Sequence, residues 1–472
     1  MREIQVAENK TLKLTNVLAR KIDASELGNL GVILTQMQNF IKSHSAMPVG
    51  PVIQCVKFTS GPNPEPQIYF MMQVNQLIPR LEPGYEQDAV LRVKGCLYAH
   101  FTGPMDHSSL ASQKLNIYAY EHEIELTGVC DLVREKAEAA AKKWNVPRIY
   151  KDMYEAFDDP QVDIILNLTR PDEHYGVTKP ALLAGKHVFS EKMIAVDLWQ
   201  GKELVQIANE KGLHLGVAPD TFLGASVQTA KYIVDKGLIG KPLSCRASIS
   251  RDYGIYAEFL THLAKKGAGI GFDMGGYYLT ALAAILGPVR SVAAFTATND
   301  PDRVNTRIGA PGFGQAYDVQ VPNVISATMQ YANGVLGTLH MNSDCIEDEE
   351  TCLKIYGTEG ILTMGDPNQF GAPVYLQKPL CEPVEFPFTH GYQENSRGLG
   401  AAEMAWSILA GRDHRASKEM AYHVFETMHG IMTSAETGSF CQLQSTFQTP
   451  AALPAGYRSV GDWSRKEESA LI

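Results

Sequence analysis

The sequence predicts an α/β protein in three parts. A small mixed module occupies residues 1–123, a doubly wound α/β domain 124–243, and an α+β domain with a large antiparallel sheet 244–447, leaving a tail at 448–472. Three observations carry this reading. From residue 124 apolar strand-like segments alternate with helical ones, the mark of a parallel sheet with crossover helices. Past about residue 243 the strands read as antiparallel, and Asn333-Gly334 between ISATMQYA and VLGTLHM is a two-residue hairpin signal. The first 123 residues follow one element order twice.

In that first part, a strand near 12–21 precedes a helix near 26–43, where Leu27, Leu30, Leu34, Met37 and Ile41 recur at steps of three and four on one face. Strands near 51–58 and 68–76 flank the turn SGPNPEP. The order then restarts with a strand at 89–101, the turn TGPMD, a helix at 108–122 and a strand at 124–130, giving a repeated β-α-β-β unit. In the body, IELTGVCD leads to the helix REKAEAAAKKW. The run VDIILNL (162–168) is too continuous for a half-exposed strand and suits a sheet buried on both faces. A helix to Gly185, the strand HVFS, a helix at 197–211 and the strand LHLGVA follow. Strands at 352–364 and 373–377 extend the second sheet, and helices near 398–411 and 418–434 complete it.

Bulk composition narrows the function classes. With 45% hydrophobic and 20% charged residues the chain can bury sizeable cores. The net charge of -10 and the lack of a basic stripe argue against a nucleic-acid surface. No run approaches the roughly 20 apolar residues of a membrane span, and MREIQVAENKTLKL does not read as a secretory signal. The eight cysteines are scattered without metal-ligand spacing, as expected of reduced thiols in a cytoplasmic protein with no metal site.

Several body segments resemble the glucose-fructose oxidoreductase / inositol dehydrogenase (Gfo/Idh/MocA) family. They are VCDLVREKAEAAAKKW with DPQVDIILNLT, AGKHVFSEK, GVAPDTFLGASVQTAKYIVDKGLIGKP, FDMGGYYLTALAAILGPV, IYGTEGIL and HGYQENSRGLG, over about residues 124–447. The resemblance implies a Rossmann-type dinucleotide-binding domain and a substrate domain. It also implies an NAD- or NADP-dependent dehydrogenase acting on sugars, cyclitols or related polyols, and an antiparallel sheet that often serves as a dimer surface. The first 123 residues, with HFTGPMDHSSLASQKLNIYAYEHEIELTG, resemble the GyrI-like effector-binding domain of AraC- and MerR-type regulators. The phrase EHEIELTG suits the end of one family and the second strand of the other, and marks the suspected junction.

One departure stands out. Such a dehydrogenase begins with a strand and a GxGxxG turn, whose glycines let the backbone approach a pyrophosphate at a helix N-terminus. The nearest stand-in here is the strand at 89–101 with TGPMDHSS, where Gly103 is the lone turn glycine and Pro104 and Met105 crowd the phosphate position. A cofactor-impaired pseudoenzyme, or a small-molecule-binding regulatory protein, is therefore the competing reading.

Candidate residues follow from strand ends and from the resemblance. Asp131 ends a strand, where a carboxylate can bind ribose hydroxyls and repel a 2′-phosphate, favouring NAD; it can equally cap the next helix. Thr169, Pro171 and His174 lie at a strand-to-helix turn that by resemblance meets the nicotinamide half, though a capping role is open. Glu191-Lys192 follows HVFS, with Met193 where the family motif has proline. A partly buried lysine is expected to have a lowered pKa and to relay the carbinol proton, while Glu191 holds the lysine stem or a ribose. Asp273 and Tyr277 lie one helical turn apart in DMGGYYLTAL, with Tyr277 where the family commonly has histidine. They are read as orienting substrate, or as a helix cap and core. Tyr278, His390 and Arg397 are candidate substrate contacts, the last two in the polar loop THGYQENSRG. Histidines 187, 214, 340, 423 and 429 read as core or surface residues.

Overall fold

A computed structural model describes residues 6–22, 30–58, 66–99, 124–252, 261–299, 302–305, 308–309, 312–345 and 352–453. They fall into two compact units, the first running to Glu123 and the second beginning at Ile124.

The first unit holds strands β1 (Val6–Ile22), β2 (Pro48–Phe58), β3 (Pro66–Val74) and β4 (Tyr85–Ala99) in an antiparallel sheet of order β2-β3-β1-β4, with helix α1 (Leu30–Ser43). The buried stripe of α1 is Ile33, Met37, Phe40 and Ile41, with Leu34 partly buried. It packs on Leu18, Ile22, Phe70 and Met72, each fully buried side chain contributing about 1.5–3 kcal/mol. Residues Leu27 and 100–123, which include the expected second helix and the Gly103 turn, lie outside the described residues. The stand-in strand does not join the nucleotide-type sheet along its described length. Val90, Leu91, Arg92 and Val93 of β4 pair with β1 instead.

The second unit opens with β5 (Gly128–Val129), α2 (Arg134–Trp144), β6 (Arg148–Ile149) and α3 (Met153–Asp158). It continues through β7 (Ile164–Asn167), α4 (His174–Leu183), β8 (His187–Ser190), α5 (Leu198–Lys211) and β9 (Leu215–Val217). Every described strand pair here is parallel, as crossover helices require, but the strands form two sheets among the described residues: β5-β6 and β7-β8-β9. VDIILNL is not buried on both faces. Leu166 is 43% exposed and Leu168, just beyond β7, 71%.

After α6 (Ala225–Asp235) comes the large sheet. Its described strands are β10 (Pro242–Ser250), β11 (Val289–Ala297), β14 (Val324–Tyr331), β15 (Leu336–Asn342), β16 (Cys352–Gly357), β17 (Ile361–Met364), β18 (Val374–Gln377), β19 (Val384–Glu385) and β20 (Cys441–Gln442), ordered β19-β18-β17-β16-β10-β15-β14-β11-β20. A small separate pair joins β12 (Asp302–Val304) to β13 (Ala316–Asp318). The large sheet is antiparallel except at β10–β15, which is parallel. The Asn333-Gly334 hairpin forms between β14 and β15 with a longer turn than expected. Tyr331 pairs with Val335, and Gly334 takes φ +89°, the left-handed conformation that suits glycine. Burial alternates along β14 and β15, so one face is core. Helices α7 (Gly269–Asp273), α8 (Gly275–Leu286), α9 (Leu399–Ala410) and α10 (Lys418–Thr437) complete this unit.

Candidate active site

The C-terminal ends of β7, β8 and β9 lie side by side, the ligand-facing edge of an open parallel sheet. They are linked by backbone bonds from Glu191 N–H to the Asn167 carbonyl at 2.8 Å and from Ala218 N–H to the Ser190 carbonyl at 2.9 Å. Asn167, the last residue of β7, is 1% exposed. Its amide donates to the His174 carbonyl at 3.1 Å and to Thr178 Oγ1 at 3.0 Å, while its oxygen accepts from the Thr169 hydroxyl at 2.6 Å. This buried polar residue in an apolar run shapes the Thr169 turn, and the sequence reading passed over it.

Lys192 leaves the end of β8 and reaches Asp273, with Nζ to Oδ1 at 2.7 Å and side chains 12% and 30% exposed. The ammonium also sits 5.2 Å from the centre of the Tyr277 ring. Helix α8 can come this close because Gly276 has no Cβ; one would meet Met193 Sδ at 3.2 Å and Lys192 Cδ at 3.8 Å. The adjacent Gly275 lies under Met428, whose methyl a Cβ would meet at 2.7 Å. Asp273 does not cap α8, whose N-cap is Met274 with no side-chain cap bond. Lys192, Asp273 and Tyr277, 81 and 4 residues apart in sequence steps, are thus brought together.

The protonation of this cluster corrects the expected lowered lysine. Burial opposes the charge on Lys192, but Asp273, Tyr277 and Glu191 together outweigh it and leave its pKa raised. Tyr277 is raised chiefly by burial, against the pull of Lys192 and Arg397. Arg397 thus lies near enough to the phenol to lower its pKa. Its guanidinium also donates to Asn395 Oδ1 at 2.8 Å and Asn368 Oδ1 at 2.6 Å.

The remaining candidates divide. Glu191 is half-buried and its carboxylate accepts the Lys192 N–H at 3.1 Å. Thr169 is exposed and Pro171 opens a single 3-10 turn before α4, so both stand at the strand-end opening. Asp131 is exposed beyond β5, and its carboxylate accepts from Val133 N–H at 2.8 Å, which makes it part of the turn into α2.

Three candidates are buried instead of lining the strand-end edge. His174 is 0% exposed, with Nδ1 2.6 Å from the Met193 carbonyl and Nε2 3.0 Å from the Thr169 carbonyl. It clamps the two turns together from inside. Tyr278 is 0% exposed, because successive helical positions point about 100° apart and its neighbour Tyr277 takes the open side. His390 is 3% exposed, with Nε2 2.7 Å from the Leu453 carbonyl and Nδ1 2.8 Å from Thr389 Oγ1, so both ring nitrogens are engaged in fastening the chain.

Asp220 was missed. It follows Pro219 beyond β9, is 4% exposed, and receives the N–H groups of Gly398 and Gly400 on one oxygen, at 2.9 and 3.0 Å. The Pro219-Asp220 pair directly after the predicted strand LHLGVA was the available signal.

Two family profiles match in succession. "Oxidoreductase family, NAD-binding Rossmann fold" covers residues 107–218, and "GFO/IDH/MocA C-terminal domain" covers 227–363. The chain belongs to the Gfo/Idh/MocA oxidoreductase family. Its Rossmann match begins beyond the Gly103-Pro104 turn, inside the segment assigned on sequence to the front module. Among relatives of this Gfo/Idh/MocA chain, D-xylose dehydrogenase of Paenarthrobacter nicotinovorans is 26% identical over 304 residues, 59% of this chain and 77% of that protein. Inositol 2-dehydrogenase/D-chiro-inositol 3-dehydrogenase of Lactiplantibacillus plantarum is 30% identical over 122 residues, 25% of this chain and 35% of that protein. The structure of levoglucosan dehydrogenase with NADH and L-sorbose superposes with a TM-score of 0.60 at 20% identity, covering 71% of this chain and 96% of that one. At that identity the likeness shows the fold.

Proposed function

We propose that this chain is an NAD(P)-dependent dehydrogenase exchanging hydride with a carbinol of a sugar, cyclitol or related polyol. The observation that carries the reading is the Lys192–Asp273 pair, held at 2.7 Å beneath Tyr277 at the ends of β8 and α7. The nicotinamide side fits, since the Thr169–Pro171 turn and Glu191 flank Lys192 along the strand-end edge and would hold that half of the cofactor. Asp131 would accept ribose hydroxyls and disfavour a 2′-phosphate, making NAD the preferred form. When bound, the nicotinamide supplies the hydride-exchanging carbon.

The protein's own groups handle the oxygen and its proton. Lys192 is an ammonium at neutral pH, so it is ready to donate a proton to a carbonyl oxygen as that carbon is reduced. In the oxidative direction Lys192 must first pass a proton to Asp273 or to solvent before taking the carbinol proton. Tyr277 donates a hydrogen bond to the substrate oxygen, and Arg397 binds neighbouring hydroxyls from the far side of the phenol. Lys192→Ala tests this. Turnover should fall about 10²–10⁴-fold, the usual contribution of a positioned proton donor, while NADH binding stays close to wild type and the protein still unfolds cooperatively, at a lower temperature because Asp273 loses its partner. Unchanged turnover would remove Lys192 from the chemistry.

The competing reading, a cofactor-impaired binding protein, has one sequence feature in its favour: the turn TGPMDHSS carries Gly103 as its lone glycine, with Pro104 and Met105 beside it. On either reading the front unit is proposed as a GyrI-like effector module, supported by its four-stranded antiparallel sheet and α1; a ligand screen by thermal shift that moves no transition would count against it. A homo-oligomer through the solvent-facing side of the large sheet is likewise proposed, and a monomer mass by light scattering would oppose it.

A further inference from the structure

We infer that Asp220 is a positioning residue that sets the substrate face of the site by holding the loop carrying Arg397. The inference rests on the dehydrogenase reading above. Asp220 belongs to the parallel-strand region, three residues beyond β9, whereas Gly398 and Gly400 flank the start of α9, about 180 residues later. A carboxylate accepting two amides at a helix start satisfies donors that have no partner within the helix. Arg397 immediately precedes Gly398, so fixing that amide fixes the origin of the side chain near Tyr277.

The surroundings show that this junction is built to close tolerance. Gly398 takes φ +103°, where a side chain is strained, and a Cβ on Gly400 would lie 2.5 Å from Phe189 and 2.8 Å from the Asp220 Cβ. Tyr392, in the same loop, accepts the Ala225 N–H at 3.2 Å on its carbonyl, a second tie from loop to body. Burial raises the Asp220 carboxyl pKa, the two glycine amides oppose that rise, and Glu191 adds to it. Because both amides meet the same oxygen, a neutral amide side chain with one carbonyl oxygen can make the same two contacts.

The test compares Asp220→Asn with Asp220→Ala in the full chain. Three readouts are used: NADH binding by fluorescence, KM and kcat for a turned-over polyol, and hydrogen exchange at the Gly398 and Gly400 amides. The alanine variant should lose about 10- to 100-fold in kcat/KM, mostly through KM, as expected when a binding group is misplaced by about an ångström. It should keep its NADH affinity and exchange the two amides faster. The asparagine variant should restore KM and amide protection. Equal damage in both variants, or a KM unchanged in alanine, would overturn the inference. Should no polyol be turned over, the dehydrogenase reading fails by itself. The exchange comparison still decides whether Asp220 holds the loop: alanine deprotecting the amides while asparagine protects them supports it, and identical exchange in all three proteins refutes it.

Discussion

Lys192 is where the chemistry of single residues decides most. Its folded pKa is raised by Asp273, Tyr277 and Glu191 against burial, so the ion pair stabilises the protein below the lysine's ordinary pKa and is lost as pH rises through the folded one. The same shift shapes the pH dependence of each direction of the reaction. Oxidation of a carbinol should accelerate from about pH 7 to about pH 10 as the proton becomes easier to remove, while carbonyl reduction should hold level near neutrality and decline in alkali. Initial rates in both directions across that range check this, and an oxidative optimum at neutral pH would contradict it. That Lys192, Asp273 and Tyr277 come together was foreshadowed by the family resemblance, whose motifs place a lysine after HVFS and a carboxylate at a helix start. The burial of His174, Tyr278 and His390 is not legible in sequence because local pattern does not say which way a polar side chain turns. His174 looks like a turn residue in sequence, yet two carbonyls drawn from turns 19 and 5 residues away bury it.

Among the elements, β7 shows what periodicity cannot reveal. An unbroken apolar run is the pattern of a strand covered on both faces, but coverage depends on what packs over each face of the sheet, a long-range property. Leu168 is 71% exposed at the end of this strand, whereas Leu204 in α5 is 0% exposed. Leu168→Ser should change stability by less than about 0.5 kcal/mol, as surface substitutions do. Leu204→Ala should cost about 2–5 kcal/mol. Denaturant titrations separate the two, and a large loss at Leu168 would mean that the strand is buried after all. The helices were the most legible elements. REKAEAAAKKW forms α2 as read, and HVFS forms β8, because capping, helix-forming residues and short apolar strands are written locally. The strand at 89–101 was read as a strand correctly, but its described part pairs with β1, a partner that only the tertiary arrangement selects.

For the whole molecule, buried histidines set the response to acid. His414 is pushed down to about 4 by burial, and His174, His390 and His423 are lowered by the same cause. A histidine whose folded pKa lies below its unfolded value adds stability that is present above the unfolded value and lost as pH falls through the folded one. His414 alone accounts for on the order of 3 kcal/mol over that window. Asp220, raised by burial, acts in the opposite sense but is outnumbered. Urea midpoints should therefore drop steadily from about pH 7 to about pH 4.5, and a midpoint that holds or rises would refute the assignment. The family was legible in the order of its motifs, and the missing glycine turn was legible as a departure. Titration of the purified full chain with NADH, followed by nicotinamide fluorescence, tests the central claim most directly. Saturable binding below millimolar concentration, weakened by Glu191→Ala, is the predicted result; no binding of either NADH or NADPH at millimolar concentration would contradict the account.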